Sequence, residues 1–267
     1  MWFMEPPENT NLPLVLFHGL LSSPQEFGLI THWLRNRGVH HSVPVVDGYT
    51  LATTLVDPNW RNWRRAALDL LETDSEDESP IILGGLCMGG VLAAAAALKT
   101  RRRIAGVVLM SPTFVYDGWG LSKIRRLRQL GYWTGLDRFF SVSEREPYGV
   151  KNERMRRWII KDLQDRQSSA AGPARLPLTA VREGERMMAE VRTHLEQINC
   201  PLLIMHARED EITSLRSVDE LFESLRLKDK ELAVLENSYH MITIDNDRHQ
   251  VARLLEQFVR KVSAARA

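Results

Sequence analysis

Gly85, Cys87 and Gly89 stand two residues apart in the run Ile81-Ile82-Leu83-Gly84-Gly85-Leu86-Cys87-Met88-Gly89-Gly90-Val91-Leu92-Ala93, where a short β-prone stretch meets an alanine-rich helical one. A reactive side chain on a sharp strand-to-helix turn requires this spacing, because side chains two positions before and after it would collide with neighbouring backbone. A sulfur at such a turn lies at a helix N-terminus, where free amides and partial positive charge favour a thiolate. The chemistry it suits is nucleophilic attack on an acyl carbon. Two phosphate-binding patterns fail on the same residues. Neither Gly84 nor Gly85 is followed by a glycine two positions later, and the Lys-Ser/Thr of a phosphate loop is missing. A structural turn around an inert buried cysteine is the rival reading.

A nucleophile needs a base and a group to orient it, and both types occur where strand-like runs end. Met205-His206-Ala207-Arg208-Glu209-Asp210 follows one such run, and Asn237-Ser238-Tyr239-His240-Met241-Ile242 follows another. Phe17-His18-Gly19-Leu20-Leu21 follows the first run of the chain. In this order the four segments resemble the α/β-hydrolase superfamily, and more narrowly its bacterial carboxylesterase and monoacylglycerol lipase branch. That branch shows HG with an apolar residue, G-L-S-x-G-G, A-R-x-D and S-x-H-x-I-T. The resemblance covers most of the chain. It implies Cys87 as nucleophile, His240 as general base, Asp210 as the carboxylate that orients the imidazole, and the Leu20 and Met88 amides as the oxyanion hole. His18, Gly19, Gly85 and Gly89 would support them. A surface-loop histidine and an ordinary loop carboxylate are the alternatives for His240 and Asp210, with Glu209 and Glu211 as neighbouring acids. His206 reads as a strand-end residue near the site.

The branch ordinarily has serine where this chain has Cys87. An S-acyl intermediate is close in free energy to a thioester donor such as acyl-coenzyme A or an acyl carrier protein, so the acyl group keeps its transfer potential. With water as acceptor the expected activity is an acyl hydrolase, a carboxylesterase or thioesterase. With an alcohol, amine or thiol it is an acyltransferase. A non-catalytic ligand-binding protein on the same fold is the third reading.

The elements that must position these residues alternate between β-prone runs and helical spacing, which argues for crossover units feeding a parallel sheet. Six strands are expected at 12–17, 43–46, 81–83, 104–110, 202–206 and 232–235. Helices are expected at 25–37, 59–72, 88–99, 215–225 and 250–262, covering both sheet faces. Between 112 and 198 no convincing buried strand appears, and helices are expected at 122–130, 151–167 and 184–198. The chain therefore divides into an α/β-hydrolase core, residues 1–111 and 199–267, and a helical cap at 112–198. Trp119, Tyr132, Trp133, Phe139, Phe140 and Trp158 would line an acyl groove in that cap or form its own small core. Arg125, Arg126 and Arg128 could meet acidic carrier residues or cofactor phosphates, although solvated helix faces are the simpler reading of the cap's arginines.

Composition sets the outer limits. The 267 residues include 35 Lys and Arg against 34 Asp and Glu, a net charge of +1, which disfavours nucleic-acid or polyanion binding. The hydrophobic share of 44% is that of an ordinary globular chain and excludes a disordered or fibrous one. The start, Met1-Trp2-Phe3-Met4-Glu5, lacks the basic and apolar regions of a signal peptide. The apolar stretch 81–98 is broken by glycines and reads as strand, turn and helix, not as a membrane span. Two cysteines, Cys87 and Cys200, are too few for a disulfide framework, and a cytoplasmic setting is expected. Cys200 reads as a small buried residue. No metal constellation and no cofactor motif emerge.

Overall fold

A computed structural model describes residues 12–53, 58–72, 79–121, 128–166, 168–169 and 172–265. In chain order the elements are β1 (Leu14–Phe17), α1 (Gly28–Asn36), β2 (His41–Ser42), α2 (Trp60–Glu72), β3 (Ile81–Leu86), α3 (Met88–Ala97) and β4 (Ile104–Met110). There follow α4 (Arg128–Thr134), β5 (Ser141–Ser143), α5 (Glu153–Arg166), β6 (Ser168–Ser169), β7 (Gly172–Pro173), β8 (Arg175–Pro177) and α6 (Leu178–His194). The chain closes with β9 (Leu202–Ala207), α7 (Leu215–Ser224), β10 (Lys230–Leu235) and α8 (Arg248–Ala264).

Six strands form one sheet in the order β10-β9-β4-β3-β1-β2, and every neighbouring pair is parallel. A parallel sheet is covered on both faces, and the strands show it by alternation. Leu14, Leu16, Ile82, Val108, Leu203 and Met205 pack with Ile30 and Leu34 of α1 and Val251, Leu255 and Phe258 of α8. Phe17, Ile81, Leu83, Val107, Leu109 and Ile204 pack with α2, α3, α6 and Val218 of α7. The two C-terminal helices thus cover one face each, as their spacing predicts.

Two elements depart from expectation for local reasons. The second strand is not 43–46 but His41–Ser42, paired with Leu14 and Val15. Pro44 has no N–H to donate to a ladder, so the chain leaves the sheet there; Val45 is exposed and Val46 turns into the core. The third strand runs three residues beyond expectation, to Leu86. Gly84 and Gly85 are poor strand formers, but β1 pairs with them on one side and β4 on the other, and pairing on both edges overrides their propensity.

Between β4 and β9, α5 and α6 lie near their expected positions, although α6 begins at Leu178 instead of residue 184. Of the helix expected at 122–130, residues 122–127, including Arg125 and Arg126, lie outside the described residues. Two small antiparallel pairs, β5 with β8 and β6 with β7, appear where no buried strand was expected; β5 is fully exposed. Trp119, Trp133, Phe139, Phe140 and Trp158 are all exposed, Trp133 to 86%, so these five do not form a core. Helix α4 explains the split: its half-buried Tyr132 turns inward while the adjacent Trp133 points away. Arg128 is bound to Glu185 at 2.6 Å and lies over the Tyr116 ring.

Among the described residues no helix is long and apolar enough to cross a membrane. Cys87 and Cys200 form no disulfide, and Cys200 is only partly buried, packed against the core cluster that contains α3 and α6.

Candidate functional site

The turn between β3 and α3 holds Cys87 at φ 56° and ψ −124°, a conformation that L-residues rarely adopt. The Cys87 amide donates to the Met110 carbonyl at 2.9 Å and its carbonyl accepts from Gly90 at 3.1 Å, which fixes the bend from both sides. Its Sγ is partly exposed and lies 3.4 Å from Thr113 Oγ1. The flanking glycines are required by packing. A Cβ on Gly85 would sit 2.2 Å from the Gly89 carbonyl carbon, and a Cβ on Gly89 would sit 2.0 Å from the Phe17 carbonyl oxygen. The end of β1 therefore rests directly on the first turn of α3, which brings the His18-Gly19-Leu20 segment to the elbow.

This contact makes a sharp stability prediction. Neither partner of a Gly89→Ala Cβ is a flexible side chain, so the variant loses more than about 4 kcal/mol, the range reserved for severe single substitutions. Gly28→Ala at the start of α1 is the contrast, because that position has αR geometry and nothing lies within 4 Å of its Cβ. It gains about 0.4–1 kcal/mol. Denaturant midpoints of the two variants read both signs.

His240 and Asp210 come together from separate loops. His240 Nδ1 donates to Asp210 Oδ2 at 2.7 Å, and both residues are buried. Asp210 Oδ1 accepts from the Ile212 and Thr213 amides at 2.8 and 2.9 Å, which fixes the carboxylate plane. The loop carrying His240 is tied by Asp245, fully buried, which accepts from the amides of Lys151, Asn152 and Tyr239. His240 Nε2 has no well-formed hydrogen bond, and Cys87 is close enough to interact with the ring. Burial alone would lower the His240 pKa, but the charges of Asp210 and then Cys87 hold it well above its ordinary value. Burial would likewise raise Asp210, and the charge of His240 and its bond hold it below the usual carboxylate range.

His206 lies behind this pair, its Nε2 donating to the Thr213 carbonyl at 2.9 Å and standing 3.7 Å from Asp210 Oδ2. Burial lowers its pKa and keeps it neutral. His18 is buried, with its Nδ1 donating to the Gly19 carbonyl at 2.8 Å and its Nε2 accepting from Thr50 Oγ1 at 2.8 Å. Burial lowers its pKa to about 4, so it acts as a neutral brace for this loop. Leu20 and Met88 face each other over Gly184 of α6, whose Cβ position lies 3.3 Å from Met88 Cε and 3.6 Å from Leu20 Cδ2.

Sequence reasoning missed several groups around the elbow. The Gly19 amide donates to Glu26 Oε2 at 2.7 Å, and Glu26 is only 2% exposed. Tyr49 and Tyr116 lie within electrostatic reach of Cys87. Glu211, weighed in the sequence as an alternative to Asp210, instead accepts the His240 amide at 3.1 Å. No periodicity marks such groups, because each is one polar residue in a loop or, for Glu26, in a single helical turn at 24–27.

A family model described as serine aminopeptidase, S33 matches residues 9–247. A carboxylesterase of Bacillus subtilis (strain 168) is 21% identical over 252 residues, 93% of this chain and 92% of that protein. A thermostable monoacylglycerol lipase of Bacillus sp. (strain H-257) is 30% identical over 103 residues, 38% of this chain and 41% of that one. The crystal structure of a monoacylglycerol lipase from Paleococcus ferrophilus superposes with a TM-score of 0.75 at 19% identity, covering 96% of each chain.

Proposed function

Because the chain belongs to the serine aminopeptidase S33 family, with an α/β-hydrolase fold, we propose that it is an ester or thioester hydrolase that works through an S-acyl intermediate on Cys87. The observation that carries this reading is a sulfur held at positive φ within interaction range of an imidazole that Asp210 orients at 2.7 Å. Esterase and lipase relatives support the acyl substrate class.

In this reading the Cys87 sulfur attacks the acyl carbonyl, and the carbonyl π electrons move to an oxyanion held by the Leu20 and Met88 amides. The positive charge favoured on His240 suits a thiolate neighbour and supplies the next proton. Collapse of the intermediate breaks the bond to the leaving alcohol or thiol, which takes that proton from His240 Nε2. Water then loses a proton to Nε2 as it adds to the thioester, and collapse expels the Cys87 thiolate and the acid, restoring the thiolate beside protonated His240. Residues 112–198 act as a cap, with Tyr116 within electrostatic reach of Cys87.

Intact-mass spectrometry tests the sequence of steps. Mixing with a p-nitrophenyl ester or an acyl N-acetylcysteamine thioester gives an acyl adduct that maps to Cys87 and decays in water. An adduct that persists in water and clears only on addition of an alcohol, amine or carrier thiol makes the protein an acyltransferase. No adduct on Cys87 during turnover overturns the mechanism.

A further inference from the structure

Glu26 is a buried carboxyl that the catalytic proposal does not use, and it stands where a negative charge would do most harm. Its Oε2 accepts the Gly19 amide at 2.7 Å, one peptide from the Leu20 amide assigned to the oxyanion hole. Its Oε1 lies 3.1 Å from where a Gly19 side chain would begin, so glycine at that position leaves room for the carboxyl. Ser22 lies beside it with a buried hydroxyl, a contact that by itself favours the carboxylate and that burial outweighs. The titratable groups that face Glu26 among the described residues are His240, from the loop after β10, and Tyr49, from the loop after β2.

We propose that Glu26 is a positioning residue that works as a neutral carboxylic acid, pinning the oxyanion loop through Gly19 while keeping negative charge away from the developing oxyanion. This rests on the ester-hydrolase reading of the site, because only a reaction that builds charge on a carbonyl oxygen is sensitive to that field. Oε2 accepts from the loop while Oε1 keeps the proton, so one group supplies the acceptor without supplying a charge. Burial raises the Glu26 pKa to about 7 against the lowering contributions of Gly19, Ser22 and His240, so ionisation falls in the working range. The sign follows directly: the acid is neutral below that value, and the oxyanion loop loses its neutral brace as pH rises through it.

Glu26→Gln keeps an acceptor and a donor without an ionisable proton, whereas Glu26→Ala leaves Gly19 unpinned. In wild type, kcat/KM for an ester falls about tenfold per pH unit above 7 as the neutral fraction shrinks. Glu26→Gln lacks that decline and keeps neutral-pH activity through an unchanged KM, while Glu26→Ala loses kcat at every pH. Infrared difference spectra, wild type minus Glu26→Gln, give a readout independent of turnover and cancel the other raised acids, Glu144 and Glu211: a protonated-carboxyl stretch present at pH 6 fades through about pH 7. Superimposable pH profiles of wild type and Glu26→Gln, or no such band at pH 6, overturn the assignment. Retained ester turnover in Cys87→Ala would instead sink the nucleophile reading, and the infrared band would still decide the state of Glu26.

Discussion

Cys87→Ala folds like wild type and has almost no ester or thioester turnover, with kcat reduced on the order of 10⁶-fold, the scale seen when the nucleophile of an acyl-transfer triad is removed. Folding survives because the bend is held by backbone bonds to Met110 and Gly90 and by the two glycine contacts, none of which uses the sulfur. The polar contacts of the side chain, Thr113 Oγ1 at 3.4 Å and the His240 ring, belong to the site and not to the bend. Residual rate over uncatalysed hydrolysis then measures what the amides and the cap contribute without covalent chemistry. Iodoacetamide labelling separates the two thiols, since Cys87 is alkylated at neutral pH and protected by substrate. Cys200→Ala leaves substrate-protected labelling and turnover unchanged, because Cys200 lies at the entrance to β9 and not on the turn that holds Cys87. Wild-type turnover in Cys87→Ala would leave only the architecture standing.

How much of this was readable beforehand depends on whether a constraint is local. The Gly85-Cys87-Gly89 spacing is legible because a Cβ on either glycine meets backbone at about 2 Å, a demand independent of the rest of the fold. The positions of Asp210 and His240 are legible at one remove, since in a parallel sheet the segments after β9 and β10 open at the same end as the segment after β3. Their pairing is expected only through the resemblance, because its 2.7 Å geometry depends on the Asp210 turn and on Asp245 anchoring the other loop. The end of the second strand was misread because a run of valines outweighed one proline, although a missing donor decides pairing more firmly than propensity does. The aromatic residues of the middle segment were misread for a related reason. Hydrophobicity is a property of the residue, but whether Tyr132 or Trp133 turns inward is set by the phase of α4. Glu26 lies furthest from sequence signals, since a single acid at the start of the helix expected at 25–37 looks like any solvated first-turn acid.

Asp210→Asn tests the imidazole with the fold held nearly constant. The amide oxygen can take the place of Oδ1 and keep the Ile212 and Thr213 bonds, while the amide nitrogen faces His240 Nδ1. A donor at that point forces the ring proton onto Nε2, the wrong tautomer for a base that must act there. The expected loss is on the order of 10⁴-fold in kcat at neutral pH with KM little changed. The electrostatics move in the same direction. Without the carboxylate, burial is no longer opposed by its main counterweight, so His240 loses much of the positive charge that suits a thiolate partner. Stability also responds with a defined sign. In wild type the depressed Asp210 pKa contributes stability above the unfolded carboxyl value that is lost as pH falls through the folded one. The raised His240 pKa contributes stability below the unfolded imidazole value that is lost as pH rises through the folded one. Asp210→Asn removes the first contribution and weakens the second, so its unfolding midpoint varies less with pH than that of wild type on both flanks. A variant that kept wild-type kcat while flattening the stability profile would make the buried pair a structural ion pair and free His240 of any part in turnover.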